Sequence, residues 1–159
     1  MSISPFLWFD DQAEQAAQRY VEIFPNSRIT TVARYPEGAP QPAGTALTVD
    51  FVIDGLELQA LNGGPQYPHT EAFSLLVNVR DQAECDRIWE ALVADGGEPG
   101  SCGWLKDRWG LSWQVIPDAL PALLNDPDPA RAGRAMNAMF TMSKIDVAAL
   151  QEAADGVAR

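Results

Sequence analysis

Histidine is almost missing from this chain, which has one, His69, among 159 residues. A protein metal centre needs several His, Cys or carboxylate ligands converging on one point, and a lone histidine in a proline-rich loop reads as a surface residue. Cysteine is scarce too, with only Cys85 and Cys102. Two thiols and no basic, apolar leader in MSISPFLWFDD point to a reducing, cytoplasmic setting. Cys85, in a helical pattern, reads as a buried structural thiol. Cys102, beside Gly103 and near Lys106, stays open between a structural and a reactive role. Basic residues are few and scattered, 11 Lys and Arg against 22 Asp and Glu, for a net charge of −11. That balance excludes nucleic acid, whose phosphates need clustered cations, and disfavours an anionic membrane surface. No run approaches the roughly 18 apolar residues of a membrane span.

Glycine-rich strand-to-helix turns are also lacking. Gly63-Gly64 precedes a proline loop and Gly96-Gly97 follows a helical pattern, so neither has the context of a nucleotide or methyl-donor site. No GxSxG nucleophile elbow occurs. No catalytic residue can be assigned.

What is present is an ordinary globular composition, 47% apolar and 21% charged, in a chain of one-domain length that can bury its own core without staples. Residues 6–9 form an apolar run, and Asp11, with Glu14 three residues on, reads as a helix N-cap. Over 12–24, Ala13, Ala16, Ala17, Tyr20, Val21 and Phe24 recur at helical spacing, and Pro25 stops them. Residues 28–35 read as a strand and 36–44, PEGAPQPAG, as a loop. Residues 45–53 and 56–61 are half-buried strands joined by Asp54-Gly55, a type I′ hairpin signal.

The pattern then restarts. Residues 73–79 form an apolar strand, Asp81 caps a helix through Cys85, Ile88, Trp89 and Leu92, and Gly96-Gly97 ends it. The tetrapeptide DQAE opens both helices, at 11–14 and 81–84. The shared context reads as a duplicated βαβββ unit, with 111–116 as the last strand of the second copy. The remainder is helical: a short turn at 119–124, a DPDP start at 126–129, and helices over 130–142 and 145–158. Met136, Met139, Phe140 and Met142 read as packing residues of the core or of a subunit contact rather than as a ligand site. The expected organisation is therefore a single α+β domain, with module one at about 1–65, module two at about 70–118 and a helical tail at about 119–159.

The densest segment is 102–117, CGWLKDRWGLSWQVIP. Leu111, Trp113 and Val115 share one strand face, and Ser112, Gln114 and Ile116 the other. Lys106, Asp107, Arg108 and Gly110 suit a charged turn. Ligand pockets are apolar with a few polar anchors, and this segment fits either a pocket or plain core.

FLWFDDQAEQAAQRYVEIFPNS at 6–27, LNGGP at 61–65, the segment 102–117 and KIDVAAL at 144–150 resemble the PhnB-like family. That family is also described as 3-demethylubiquinone-9 3-methyltransferase and lies within the vicinal oxygen chelate superfamily of glyoxalases, bleomycin-resistance proteins and dioxygenases. The resemblance implies paired βαβββ modules curving into a cup, usually in a homodimer. It also places the superfamily's metal-ligand positions at about Ser4, Gln59, Ser74 and Gln114. Two serines and two glutamines carry no charge to offset a divalent cation, so no metal and no cofactor is expected. Metal-dependent lyase or dioxygenase chemistry stands as the alternative. The methyl transfer in the family's description finds no donor motif here. The expectation is a small-molecule-binding protein whose pocket is floored by Gln59 and Gln114, walled by Trp8, Phe73, Trp104 and Trp113, and rimmed by His69.

Overall fold

The computed structural model describes residues 1–157; Ala158, the last residue of the expected final helix, lies outside them. The chain divides into two compact units, Met1–His69 and Thr70–Arg159. The first contains β1 (Phe6–Phe9), α1 (Ala13–Ile23), β2 (Arg28–Arg34), β3 (Ala46–Ile53) and β4 (Leu56–Asn62), in the sheet order β1-β4-β3-β2. The second repeats it with β5 (Ser74–Val79), α2 (Gln82–Val93), β6 (Glu98–Pro99), β7 (Trp104–Lys106) and β8 (Ser112–Pro117), in the order β5-β8-β7-β6. Each module is thus βαβββ with a parallel first-to-last pair, and the duplication read from DQAE is a duplication of topology.

The registers align the copies residue by residue. Phe6 pairs with Gln59 and Phe9 with Asn62; Leu76 pairs with Gln114 and Val79 with Pro117. Gln59 and Gln114 are therefore equivalent, as are Asn62 and Pro117.

In the first module the period-two alternation of β3 and β4 sends Val49, Phe51, Leu58 and Ala60 to one face, where Ala13, Ala16, Ala17 and Tyr20 of α1 close over them; all are essentially buried. Tyr20 and Phe51 meet with ring centroids 6.2 Å apart. Asp54 and Gly55 both take positive φ, 44° and 86°, as a type I′ hairpin requires. In the second module Cys85, Ile88, Trp89 and Leu92 of α2 bury against Leu105, Trp113 and Val115.

Asp11 does not cap α1. No side chain of the N-cap residue, Gln12, bonds the first turn; instead Asn62, at the end of β4, accepts from Ala13 N–H at 2.7 Å. Glu14, the expected capping-box partner, pairs with Arg34 of β2. The second copy behaves as the sequence suggested. The Asp81 carboxylate accepts from Glu84 N–H at 2.9 Å, and Glu84 accepts from Arg80 N–H at 3.0 Å.

Beyond β8 come α3 (Ala119–Leu124), α4 (Pro129–Met139) and α5 (Val147–Asp155). Asp128 caps α4 ahead of Pro129 at its first position, which is how DPDP starts a helix. Leu120, Leu123, Ala135, Ile145, Leu150 and Ala154 form their core, and Met139 and Met142 pack against it. Met136 and Phe140 stay exposed. No helix among the described residues is long and apolar enough to cross a membrane.

Candidate functional site

In the first module the face turned away from α1 carries Phe6, Gln59 and Asp50 side by side, since Phe6 pairs with Gln59 and Gln59 with Asp50. The Gln59 amide donates to the Asp50 carboxylate at 2.9 Å. Trp8 donates its indole N–H to Gly64 O at 2.8 Å and meets Tyr67 edge-on at 5.0 Å. Its ring lies so close to Gly63 that a Cβ there would sit 2.2 Å from it. Only glycine fits that approach, and the LNGGP motif is thereby explained as packing. His69 stands edge-on to the core residue Phe9, with ring centroids 5.1 Å apart.

In the second module two rows of side chains cross the face turned away from α2. Ser74, Ser112 and Lys106 form one, and Leu76, Gln114 and Trp104 the other; Glu98 extends the first row through its pairing with Lys106. Because β6 has only two residues and β7 three, this sheet ends early on that side. The early end leaves a cleft of about 510 Å³ lined by Glu71, Glu98, Pro99, Gly100, Ser101, Trp104, Leu105, Lys106 and Ser112. Lys106 pairs with Glu71. That hydrogen bond, with their mutual attraction, holds Glu71 below the usual carboxylate range and raises Lys106 above the usual ammonium value. Both groups are therefore charged at neutral pH. Ser112 is 1% exposed, and its hydroxyl has no hydrogen-bond partner among the described residues. Gln114 stands one row away, donating to Ser74 Oγ at 2.9 Å.

The charged turn Lys106–Gly110 is organised by Asp107, which is 4% exposed. Its carboxylate accepts from Trp109 N–H at 2.9 Å, from Leu111 N–H at 3.1 Å and from the Trp113 indole at 2.9 Å. Three donors around one carboxylate are what permits its burial. Arg108 lies over the Trp109 ring at 5.4 Å.

The rim of the cleft at 100–103 is held from the tail. Ser143 donates its hydroxyl to Gly100 O at 2.6 Å, and Cys102 N–H and Gly103 N–H donate to Met142 O and Ser143 O. Cys102 occupies a left-handed turn, φ 57°, with its thiol toward Met139 O. Cys85 is fully buried, and burial above all, with the nearby Asp86, pushes its thiol up to about 11; it is an inert structural thiol.

Of the residues expected to form a pocket, Trp104 lines the cleft and Gln114 shares its sheet face. Trp113 does not. Strand alternation puts it on the α2 side, fully buried, with its indole committed to Asp107. Phe73 precedes β5 and is 46% exposed, outside the cleft lining. Trp8, Gln59 and His69 belong to the first module, where Trp8 is held by Gly64 and Tyr67 and His69 by Phe9. Sequence reasoning missed Ser112, Glu98 and Glu71. Ser112 was legible as a polar residue on the Gln114 face, but its missing partner is a property of three strands together.

Two successive βαβββ modules, each closing its sheet with a parallel first-to-last pair, define the fold class: the glyoxalase/bleomycin-resistance fold. A model of the family described as 3-demethylubiquinone-9 3-methyltransferase matches residues 1–116, and the chain belongs to that family. The match ends before α3, so the tail motifs that also suggested the likeness lie beyond it. Among solved structures the chain is similar to a 3-demethylubiquinone-9 3-methyltransferase-like PhnB protein of Bacillus cereus (29% identity, 74% of this chain and 99% of that one, TM-score 0.68). It is also similar in fold to a Pseudomonas aeruginosa protein (23% identity, 74% and 97%, TM-score 0.60). A third neighbour is a variant of the fosfomycin resistance protein FosX of Listeria monocytogenes in complex with Mn(II) and a dihydroxypropylphosphonic acid (15% identity, 78% and 98%, TM-score 0.56). No curated protein matches the chain.

The donors at the metal positions that the resemblance implies do not suit a divalent cation. Ser4 precedes β1 and is exposed. Ser74 accepts from Gln114, while Gln59 spends its amide on Asp50. Among the described residues no three His, Cys, Asp or Glu side chains gather as a metal site would require.

Proposed function

We propose that this protein binds a small organic molecule in the cleft of its second module and does so without a resident divalent metal. The cleft itself carries the reading: about 510 Å³, a volume suited to a small ligand, with a tryptophan wall and a few polar anchors. The neutral side chains of Gln59 and Gln114 support the metal-free part, because each amide is engaged within its own module, by Asp50 and Ser74 respectively, and neither brings a charge to offset a dication's.

Methyl transfer is not part of this reading. The strand-to-helix turns that open the helices of the two modules, Asp10–Gln12 and Arg80–Asp81, contain no glycine and carry carboxylates. Neither can cradle a nucleotide-like donor, which needs close backbone approach at a glycine-rich turn.

The test is a chemically diverse fragment screen read by NMR, with the Trp104 indole and the Gly100 and Ser101 amides as reporters. Binding should move these signals and leave the Trp113 indole in place. A screen that moves none of them overturns the site. Incubation with Mn(II), Ni(II) or Zn(II) followed by dialysis should leave well under one equivalent of metal; stoichiometric retention overturns the metal-free part.

A further inference from the structure

We infer that the cleft selects an uncharged, flat molecule bearing a carbonyl-type oxygen, and that Ser112 is the donor that recognises this oxygen. The inference rests on the cleft being a ligand site and adds the class of ligand.

Ser112 carries the argument. A hydroxyl withdrawn from water without a partner is costly, and native structures keep few such groups. Ser112 is 1% exposed, lines the cleft, and has no partner for its hydroxyl among the described residues. Its cross-strand neighbour Ser74 accepts from Gln114 and makes no bond to the Ser112 hydroxyl. A ligand atom is the partner that would complete it.

The surroundings define that atom. The other cross-strand neighbour of Ser112 is Lys106, whose ammonium has three donors and no acceptor and gives one to Glu71. A hydroxyl hydrogen and a spare ammonium hydrogen on adjacent strands both call for an acceptor, and a carbonyl oxygen has two lone pairs to meet them. A ligand cation would face Lys106 and could accept from neither group.

Charge decides between a carbonyl and a carboxylate. Glu71 and Glu98 flank the single Lys106 in the cleft lining, leaving the site one negative charge in excess, within a chain of net charge −11. A carboxylate would meet that repulsion; an amide or ketone would not. The wall supplied by Trp104 and Pro99 suits a planar ring, which stacks on an indole face.

Two measurements test the inference on the intact chain. Benzamide and acetophenone are titrated against benzoate, with cleft amide signals as the readout, in the wild type and in Ser112→Ala. The neutral pair should bind more tightly than benzoate, which meets the excess charge of Glu71 and Glu98, and S112A should weaken the neutral pair about tenfold, the worth of one well-placed hydrogen bond. The same substitution should raise Tm, since it deletes an unpaired buried hydroxyl. Equal binding of all three, or a neutral-pair affinity that S112A leaves unchanged, overturns the ligand class while leaving the cleft as a site. A cleft silent to the neutral pair but responsive to other fragments does the same, whereas silence to the whole screen removes the site itself. A clear fall in Tm would show that the hydroxyl has a structural role and would overturn the assignment of Ser112.

Discussion

The two modules share a topology and a tetrapeptide, yet they satisfy their buried polar groups in opposite ways. The first buries Asn62 and gives each of its polar groups a partner. Its amide oxygen accepts from Ala13 N–H, its NH₂ donates to Ala46 O at 2.9 Å, and its backbone oxygen accepts from Tyr35 Oη at 2.8 Å. One residue joins helix, sheet and loop. The equivalent position in the second module is Pro117, which has no polar side chain, so α2 takes its cap from its own Asp81. The second module instead buries Asp107, whose carboxylate accepts from three donors, and Ser112, whose hydroxyl has no partner among the described residues. A fully used buried polar group is part of the frame. An unused one beside a cleft is where a ligand can contribute what the fold does not.

Removing Asp107 should produce the largest change. Asp107→Ala leaves Trp109 N–H, Leu111 N–H and the Trp113 indole without their acceptor, two of them in fully buried residues. Bonds to a carboxylate are worth more than neutral ones, and abandoned donors each pay desolvation, so a loss of about 4 kcal/mol is expected. Urea denaturation measures it, and a loss below about 1 kcal/mol would show that the turn is held by other contacts.

Asn62→Ala comes next and tests the other module. It strands Ala13 N–H and Ala46 O, for an expected loss of about 3 kcal/mol. Asp81→Ala removes only a cap at an exposed helix start and should cost about 1 kcal/mol. Asp11→Ala, the same letter in the other DQAE copy, should stay within about 0.5 kcal/mol. Chemical denaturation of the three variants gives the ranking. If Asp11 matters as much as Asp81, the modules cap their helices alike and the contrast fails.

That ranking also shows what the sequence could and could not reveal. Local chemistry was legible: the Asp54-Gly55 turn, the helical stripe of α1, the Asp81 cap and the DPDP start of α4 each depend on a few adjacent residues. The Asp11 expectation failed because the competitor lies 49 positions from Ala13, and no local pattern announces that Asn62 reaches the helix. The short strands β6 and β7 escaped notice because so few residues show no alternation. Yet their shortness is what opens the cleft. Trp113 was given two roles by its neighbours in sequence, and alternation from Gln114 decided for the core. Ser112 could be placed on a face from sequence but could not be shown to lack a partner, since that depends on what Ser74 and Lys106 do with their own hydrogen bonds.

Acid should separate the modules by the smallest but most specific effect. Glu84 accepts from Arg80 N–H, and that backbone bond, followed by the bond from the Arg80 side chain, more than offsets desolvation and holds its carboxyl below the usual range. A depressed carboxyl stabilises the fold above its unfolded value, about 4.3, and that contribution is lost as pH falls through the folded value. Glu14 of α1 is also lowered, chiefly by its hydrogen bond with Arg34, but its protonation releases a side chain of β2 and no backbone N–H of the helix. Ala13 N–H stays with the Asn62 amide, which does not titrate. Hydrogen exchange between pH 5 and pH 3, corrected for intrinsic rates, should therefore show protection falling at Arg80 and holding at Ala13. Parallel loss at both amides would mean that acid opens the modules as wholes and that the difference between their caps has no separate consequence. A selective loss at Arg80 would confirm that one tetrapeptide has been fitted to two different ways of starting a helix.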